Sequence, residues 1–151
     1  MAAVKHPPLD VVQDVVTSIQ RRGGVAALGG SGLLAALGLV DVVVDWDLTT
    51  DSPQALVATV LADLPYSHLR LTAGDTPFAS EARFAINGGA HAVDIIVRFA
   101  VRGDQGETPI ATRVTGEWLG LPIGDPMAWA VAYRAIGRFE RAGLLEDWAR
   151  Q

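Results

Sequence analysis

The stretch ALGGSGLLAALGLVDVVVDWDL, residues 27–48, joins a glycine-rich turn to a hydrophobic run that ends in two aspartates. Residues 42–48 are rich in β-branched side chains, which predicts a strand. Because side chains alternate along a strand, Asp45 and Asp47 share one face. The opposite face carries apolar residues that can pack on helices: Val44, Trp46 and Leu48.

The two carboxylates need either water or a positive partner. Like charges about 7 Å apart on one strand face repel each other, and a divalent cation removes that repulsion. Mg²⁺ prefers one or two carboxylates together with water and substrate phosphates. The pattern therefore favours a metal held with a phosphate over a cage made by protein alone.

A third carboxylate, Asp94, is embedded in the apolar run AVDIIVRF, residues 92–99. Alternation places Val93, Ile95 and Val97 on one face of this predicted strand and Asp94 on the other. If the strand lies beside the strand of Asp45 and Asp47, the three carboxylates meet and can form a two-metal site.

The turn at Gly29, Gly30 and Ser31 fits phosphate chemistry. Glycines let the backbone approach a phosphate closely, and a helix N-terminus offers free N–H groups. Ser31 is the predicted N-cap of a helix that runs through Leu37. The turn is neither a Walker A loop nor a G-x-G-x-x-G fingerprint, because the required lysine and spacing are absent.

Length and composition restrict the class of protein. The chain has 151 residues, half of them hydrophobic, which predicts one domain over residues 1–151. There is no cysteine, no apolar run long enough to span a bilayer and no hydrophobic leader, so we expect a cytoplasmic protein without membrane contact. The net charge of -5 disfavours general nucleic-acid binding.

The rest of the chain predicts an α/β (α+β) fold, a mixed β-sheet flanked by helices. Ser52 is expected to cap one helix, and Asp125 with Pro126 to begin another. An Asn-Gly-Gly turn at residues 87–89 predicts a hairpin. Helices are predicted over 9–22, 53–64, 127–137 and 138–150, and strands over 25–28, 67–72, 81–86, 90–101, 108–114 and 121–123.

The order of these motifs resembles the nucleotidyltransferase superfamily, which has the DNA polymerase β-like fold. Its signature is h-G-[GS] at the start of a short helix, D-h-[DE] on the next strand and h-[DE]-h on a later strand. The corresponding segments here are LGGS at 28–31, DWDL at 45–48 and VDII at 93–96. DWDLTTDSP and the C-terminal helical segment look like small bacterial members related to the AbiEii-type and minimal nucleotidyltransferases.

The resemblance implies transfer of a nucleoside monophosphate from an NTP to a hydroxyl acceptor. It implies that Asp45 and Asp47 bind Mg²⁺ (or Mn²⁺) and the triphosphate, and that Asp94 joins the metal that activates the acceptor hydroxyl. The Gly29–Gly30–Ser31 turn would hold phosphates. The acceptor stays open between a small molecule such as an aminoglycoside, an RNA and a protein. The alternative is a non-catalytic nucleotide-binding or partner-binding module on the same fold.

The basic residues depart from the AbiEii-type pattern. Many of those relatives carry a lysine in the first C-terminal helix, where this chain has Tyr133 and Arg134. Arginines on predicted strands either counter phosphate charge or belong to an ordinary sheet surface: Arg70, Arg83 and Arg98. The charged residues of the last helix, Arg138, Glu140, Arg141 and Glu146, are expected to form a solvated face.

Overall fold

The computed structural model describes residues 3–71, 77–104 and 106–151. Its helices are α1 (Asp10–Arg21), α2 (Gly30–Ala36), α3 (Gln54–Ala62), α4 (Pro126–Ala135) and α5 (Phe139–Ala149). Its strands are β1 (Ala27–Gly29), β2 (Trp46–Thr50), β3 (His68–Leu71), β4 (Ala82–Asn87), β5 (Ala92–Val97), β6 (Ala100–Gly103), β7 (Gly106–Pro109), β8 (Gly116–Trp118) and β9 (Leu121–Ile123).

A seven-stranded sheet forms the centre of the fold, with the strand order β3-β4-β5-β2-β1-β9-β8. The pairs β2–β5 and β1–β9 are parallel and the other neighbours are antiparallel. A separate two-stranded sheet pairs β6 with β7. The sheet is therefore mixed and flanked by helices, which confirms the predicted fold class. Within the described ranges, no helix has the length and apolar character needed to cross a membrane.

One face of the sheet carries the hydrophobic core. A row of apolar residues crosses four strands in register, from Leu28 through Leu48 and Ile95 to Phe84, and each is buried. Trp46 is also fully buried on this face, and its indole N–H donates to the carbonyl of Pro8 at 3.1 Å. The other face of the same four strands is left for the row that contains Asp47 and Asp94.

The strand predicted over residues 42–48 begins later than expected, at Trp46. Residues 41–43 pair instead with the N-terminal segment, where Lys5 N–H donates to Asp41 O at 2.9 Å and Val43 N–H donates to Lys5 O at 2.8 Å. Because of this pairing Val43 is buried and Val44 is 71% exposed. The prediction that Val44 packs with Trp46 and Leu48 was wrong.

The hairpin at residues 87–89 is confirmed, because β4 and β5 pair antiparallel with Asn87 opposite Ala92. The strand predicted over 90–101 is divided at Arg98, whose φ of 52° interrupts the extended backbone between β5 and β6. The strand predicted over 108–114 ends at Pro109, and β8 was not predicted. Thr72, the last residue of the strand predicted over 67–72, lies outside the described residues.

The helix caps were predicted correctly at one of three positions. Asp125 caps α4, and its side chain accepts a hydrogen bond from the Met127 N–H at 3.0 Å. Ser31 does not cap α2, since the helix already begins at Gly30 and places Ser31 inside its first turn. Ser52 does not cap α3, because Pro53 occupies the N-cap position and has no side-chain acceptor.

Candidate functional site

The parallel pairing of β2 with β5 brings the three predicted carboxylates to one place. Asp47 and Asp94 are direct partners in the register of the two strands. Asp45 lies just before β2, and its Oδ1 accepts a hydrogen bond from the Ala92 N–H at 2.8 Å. All three side chains are half-buried and line the same cavity, whose volume is about 490 Å³.

The glycine turn lies directly beside this pair of strands. Gly29 is the register partner of Asp47, and Gly30 and Ser31 line the cavity. Gly30 has a φ of +56°, and a Cβ added there would lie 2.5 Å from Asp47 Oδ2. The position therefore requires glycine both for its backbone conformation and for the approach of the Asp47 carboxylate.

Gly29 has a different environment from its two neighbours in the turn. A Cβ at Gly29 would overlap with the indole of Trp129, which comes from α4. This contact brings α4 onto the sheet face that carries Asp47. Gly29 is therefore covered by Trp129, whereas Gly30 and Ser31 are the turn residues that line the cavity.

Burial and repulsion between neighbouring carboxylates disfavour the ionised forms of Asp47 and Asp94. Burial raises the pKa of Asp47 to about 7, with further upward contributions from Asp94 and Asp45 and opposing ones from Arg83 and Arg141. Burial also raises the pKa of Asp94, although the nearby Arg83 lowers it. The cavity is therefore a place where a cation bound near the carboxylates removes a real electrostatic cost.

Three guanidinium groups complete the polar lining of the cavity: Arg83, Arg138 and Arg141. None of them forms an ion pair with a carboxylate from the described ranges, whereas Arg98 pairs with Glu81 and Arg134 with Glu146. Arg138 is exposed, as predicted, but it also lines the cavity, and the predicted solvated face was wrong for Arg141, which is half-buried. The charge pattern of α5 alone could not reveal this, because the packing of α4 against α5 decides which side of the helix meets the cavity.

Of the three strand arginines, only Arg83 lines the cavity. Arg70 donates to the side chain of Gln54 at 3.1 Å, and Arg98 lies 2.9 Å from Glu81. Alternation along β4 contained the signal for Arg83, since Arg83 and Ala85 point to the face opposite Phe84.

Aromatic side chains build the wall between the sheet and α4. The ring centroids of Phe99 and Trp129 are 4.8 Å apart, and those of Trp129 and Tyr133 are 5.5 Å apart. All three rings are buried. Of the two residues at the position of the lysine, Tyr133 lines the cavity and Arg134 pairs with Glu146 instead.

The donor set has the chemistry that Mg²⁺ requires, but protein atoms alone do not complete a site. Carboxylate oxygens are the hard ligands that Mg²⁺ and Mn²⁺ prefer. Among the residues that the structure describes, no group of three or more potential ligands is arranged so that it could hold a metal ion. This arrangement fits an ion that also takes oxygens from a bound phosphate, as Mg²⁺ commonly does.

Three solved structures share this architecture. One is a candidate nucleotidyltransferase, TM1012 from Thermotoga maritima, with a TM-score of 0.66 and 20% identity over 94% of this chain and 92% of that chain. A solution structure of the antibiotic-resistance factor ANT(2'')-Ia has a TM-score of 0.59 and 13% identity over 91% and 81% of the two chains. A crystal structure of ANT(2'')-Ia in complex with adenylyl-2''-tobramycin has a TM-score of 0.52 and 12% identity over 94% and 97%.

These likenesses establish the fold. The chain has the fold of the nucleotidyltransferase superfamily, as its motifs had indicated. No protein-family model and no curated protein matches the chain. The closer relation to AbiEii-type members stays a prediction, and so do the roles of the individual site residues.

Proposed function

We propose that this protein is a metal-dependent nucleotidyltransferase that moves a nucleoside monophosphate from an NTP to a hydroxyl acceptor. One observation carries the proposal. Asp45, Asp47 and Asp94 line a single cavity together with Gly30 and Ser31, on a fold shared with nucleotidyltransferases. Neither the fold nor the carboxylates alone would be sufficient, because one fold hosts many functions.

The nucleotide would bind between the glycine turn and the guanidinium groups. The first residues of α2 offer backbone N–H groups, and Ser31 adds a hydroxyl that can donate to a phosphate oxygen. Arg83, Arg138 and Arg141 supply positive charge to the same cavity. The triphosphate would therefore find donors on two sides of the cavity.

In the proposed reaction, the acceptor hydroxyl oxygen forms a bond to the α-phosphorus of the NTP, and the bond from that phosphorus to the β-phosphate bridging oxygen breaks. Pyrophosphate leaves, and the hydroxyl proton passes to a base. Asp94 is the base that we propose, because its carboxylate lines the cavity beside Asp45 and Asp47, where the acceptor hydroxyl would have to approach the nucleotide. Most of the remaining catalysis comes from holding the reacting groups in line.

Asp45, Asp47 and Asp94 would hold Mg²⁺ or Mn²⁺ together with oxygens of the nucleotide. When bound, such ions neutralise charge on the attacking and leaving oxygens of an in-line displacement. The carboxylate of Asp47 would then be ionised, since a bound cation offsets the burial and repulsion that raise its pKa.

The acceptor class is a small molecule, an RNA or a protein hydroxyl. The likeness to a structure that contains adenylyl-2''-tobramycin supports testing small molecules first. The acidic net charge argues against general nucleic-acid binding. The cytoplasmic location and the single domain over residues 1–151 stay predictions.

Transfer of label from an α-³²P-labelled NTP tests this proposal. Each of the four NTPs is incubated with Mg²⁺, the protein and a fractionated cell extract, and labelled products are separated into small molecules, RNA and protein. We expect one labelled class with the wild type and none with Asp47→Asn. Nucleotide binding without any labelled product would favour the non-catalytic binding module, and no nucleotide binding at all would contradict the proposal.

A further inference from the structure

Arg138 and Arg141, which form no ion pair with a carboxylate among the described residues, lie against one aromatic ring. The guanidinium carbons of Arg138 and Arg141 are each 5.7 Å from the centroid of the Tyr133 ring. Arg141 also donates from Nη1 to the Tyr133 hydroxyl at 3.2 Å. Tyr133 is only 4% exposed, so its ring is a fixed surface, whereas Arg138 is exposed and Arg141 is half-buried.

The position of the Tyr133 ring is fixed by its packing on Trp129. The Trp129 indole in turn covers Gly29, the register partner of Asp47. A chain of contacts therefore links the strand of the carboxylates to the guanidinium group of Arg141. Arg141 lies close enough to Asp47 to lower its pKa, which places the cation within electrostatic reach of the carboxylates.

A free arginine side chain loses considerable rotamer entropy when it binds a ligand. An arginine already held against a ring loses less of this freedom, so its hydrogen bonds contribute more to affinity. Contact between a guanidinium and an aromatic face also keeps the cation at the wall and leaves its charge available to a ligand. A carboxylate partner would neutralise that charge.

We propose that Tyr133 is a positioning residue whose ring and hydroxyl hold Arg141, and with it Arg138, at the cavity wall to bind the polyphosphate of the nucleotide. This inference rests on the proposed function, since it concerns the same nucleotide. It assigns to Tyr133 no contact with the reacting atoms. Its effect on binding is exerted through Arg141.

A double-mutant cycle separates this role from general support of the fold. The dissociation constants of a non-hydrolysable NTP analogue with Mg²⁺, and of inorganic tripolyphosphate, are measured for four proteins: wild type, Tyr133→Phe, Arg141→Ala and the double variant. Tyr133→Phe keeps the ring and removes only the hydroxyl. We expect this change to weaken both ligands about three- to tenfold, the range of one net hydrogen bond.

The effect of Tyr133→Phe in the wild type is compared with its effect in the Arg141→Ala variant. In Arg141→Ala, Tyr133→Phe should have no further effect on either ligand, because the hydroxyl no longer has its partner. An equal loss in both backgrounds, or no loss in the wild type, would overturn the inference. If Tyr133→Phe is too unstable to assay, Arg141→Lys replaces it, since lysine keeps the charge but lacks the planar fork. Wild-type affinity in Arg141→Lys would then overturn the inference.

The same measurements distinguish this inference from the proposed function. A wild-type protein that binds neither ligand contradicts the proposed function, and with it the inference. A wild-type protein that binds both, with independent effects of the two substitutions, contradicts only the role of Tyr133.

Discussion

Asp94 stands directly beside Asp47 across the parallel strands β2 and β5, although the two residues are far apart in the chain. Their carboxylates point to the face opposite the hydrophobic row of Leu48 and Ile95. Burial is the largest cause of the raised pKa of each carboxyl group, and Asp94 raises the pKa of Asp47 further. This relationship makes the site electrostatically strained without a cation and leads to the following predictions.

The first prediction concerns the pH dependence of stability without metal. The pKa of Asp47 rises from 3.8 when unfolded to about 7 when folded, so the folded protein binds the extra proton between these values. The contribution of this group to stability is therefore full below pH 4 and is lost as the pH rises to 7. Asp47→Asn cannot ionise and should avoid that loss.

The free energy of unfolding of Asp47→Asn is compared with that of the wild type at pH 5 and at pH 8. Between these two pH values we expect the difference to shift in favour of the variant by about 2 kcal/mol. Urea unfolding at both pH values in EDTA measures this. Comparing the two proteins cancels the other titrating groups, apart from Asp94 and Asp45, which interact with Asp47. A difference that does not change with pH would show that Asp47 is not strained in the folded protein.

The second prediction concerns Gly30. Gly30→Ala should cost about 2–4 kcal/mol of stability, because alanine strains the left-handed backbone and its Cβ displaces the Asp47 carboxylate. Gly38 is a matched control, since its φ is +77° and no heavy atom lies within 4 Å of an added Cβ. Gly38→Ala should cost only about 1 kcal/mol and leave nucleotide binding intact. Equal effects of the two substitutions on binding would contradict the assigned role of Gly30.

The sequence predicted the carboxylate face well because its signals are local. Alternation within an apolar run places Asp47 and Asp94 on the face away from the core, whatever the neighbouring strands are. The beginning of β2 could not be predicted in this way, since the pairing of Lys5 with residues 41–43 is a non-local contact. This pairing also explains why Val44 is exposed although it belongs to the same β-branched run.

The cationic side of the cavity was harder to predict for a related reason. Arg138, Arg141, Arg134 and Glu146 give α5 and its surroundings the charge pattern of an exposed helix. Only tertiary packing distinguishes them, because it turns Arg141 onto Tyr133 and Arg134 onto Glu146. The strand β8 could not be predicted for a different reason: its three residues, Gly116–Trp118, are too few to show hydrophobic alternation.

The third prediction uses Arg134 to test this distinction. Its guanidinium pairs with Glu146, lies 5.6 Å from the centroid of the Phe139 ring, and does not line the cavity. Arg134→Ala should leave nucleotide affinity unchanged and change stability little, as expected of an exposed ion pair. Arg141→Ala should weaken nucleotide binding at least tenfold, roughly the effect of losing one charged hydrogen bond. The reverse order of effects on affinity would contradict the assignment of the two arginines.

The most direct measurement is calorimetric titration of a non-hydrolysable NTP analogue, with and without Mg²⁺, into the wild type and Asp94→Asn. Asp94 is the decisive residue because it reaches the site only through the pairing of β2 with β5. Because no ligand group among the described residues completes a metal site by itself, we expect Mg²⁺ alone to bind weakly and the analogue to bind tightly only when Mg²⁺ is present. Asp94→Asn should weaken the binding with Mg²⁺ at least tenfold and leave the weak binding without Mg²⁺ unchanged. Equal affinity of the two proteins for the analogue in Mg²⁺ would contradict a shared role of the three carboxylates.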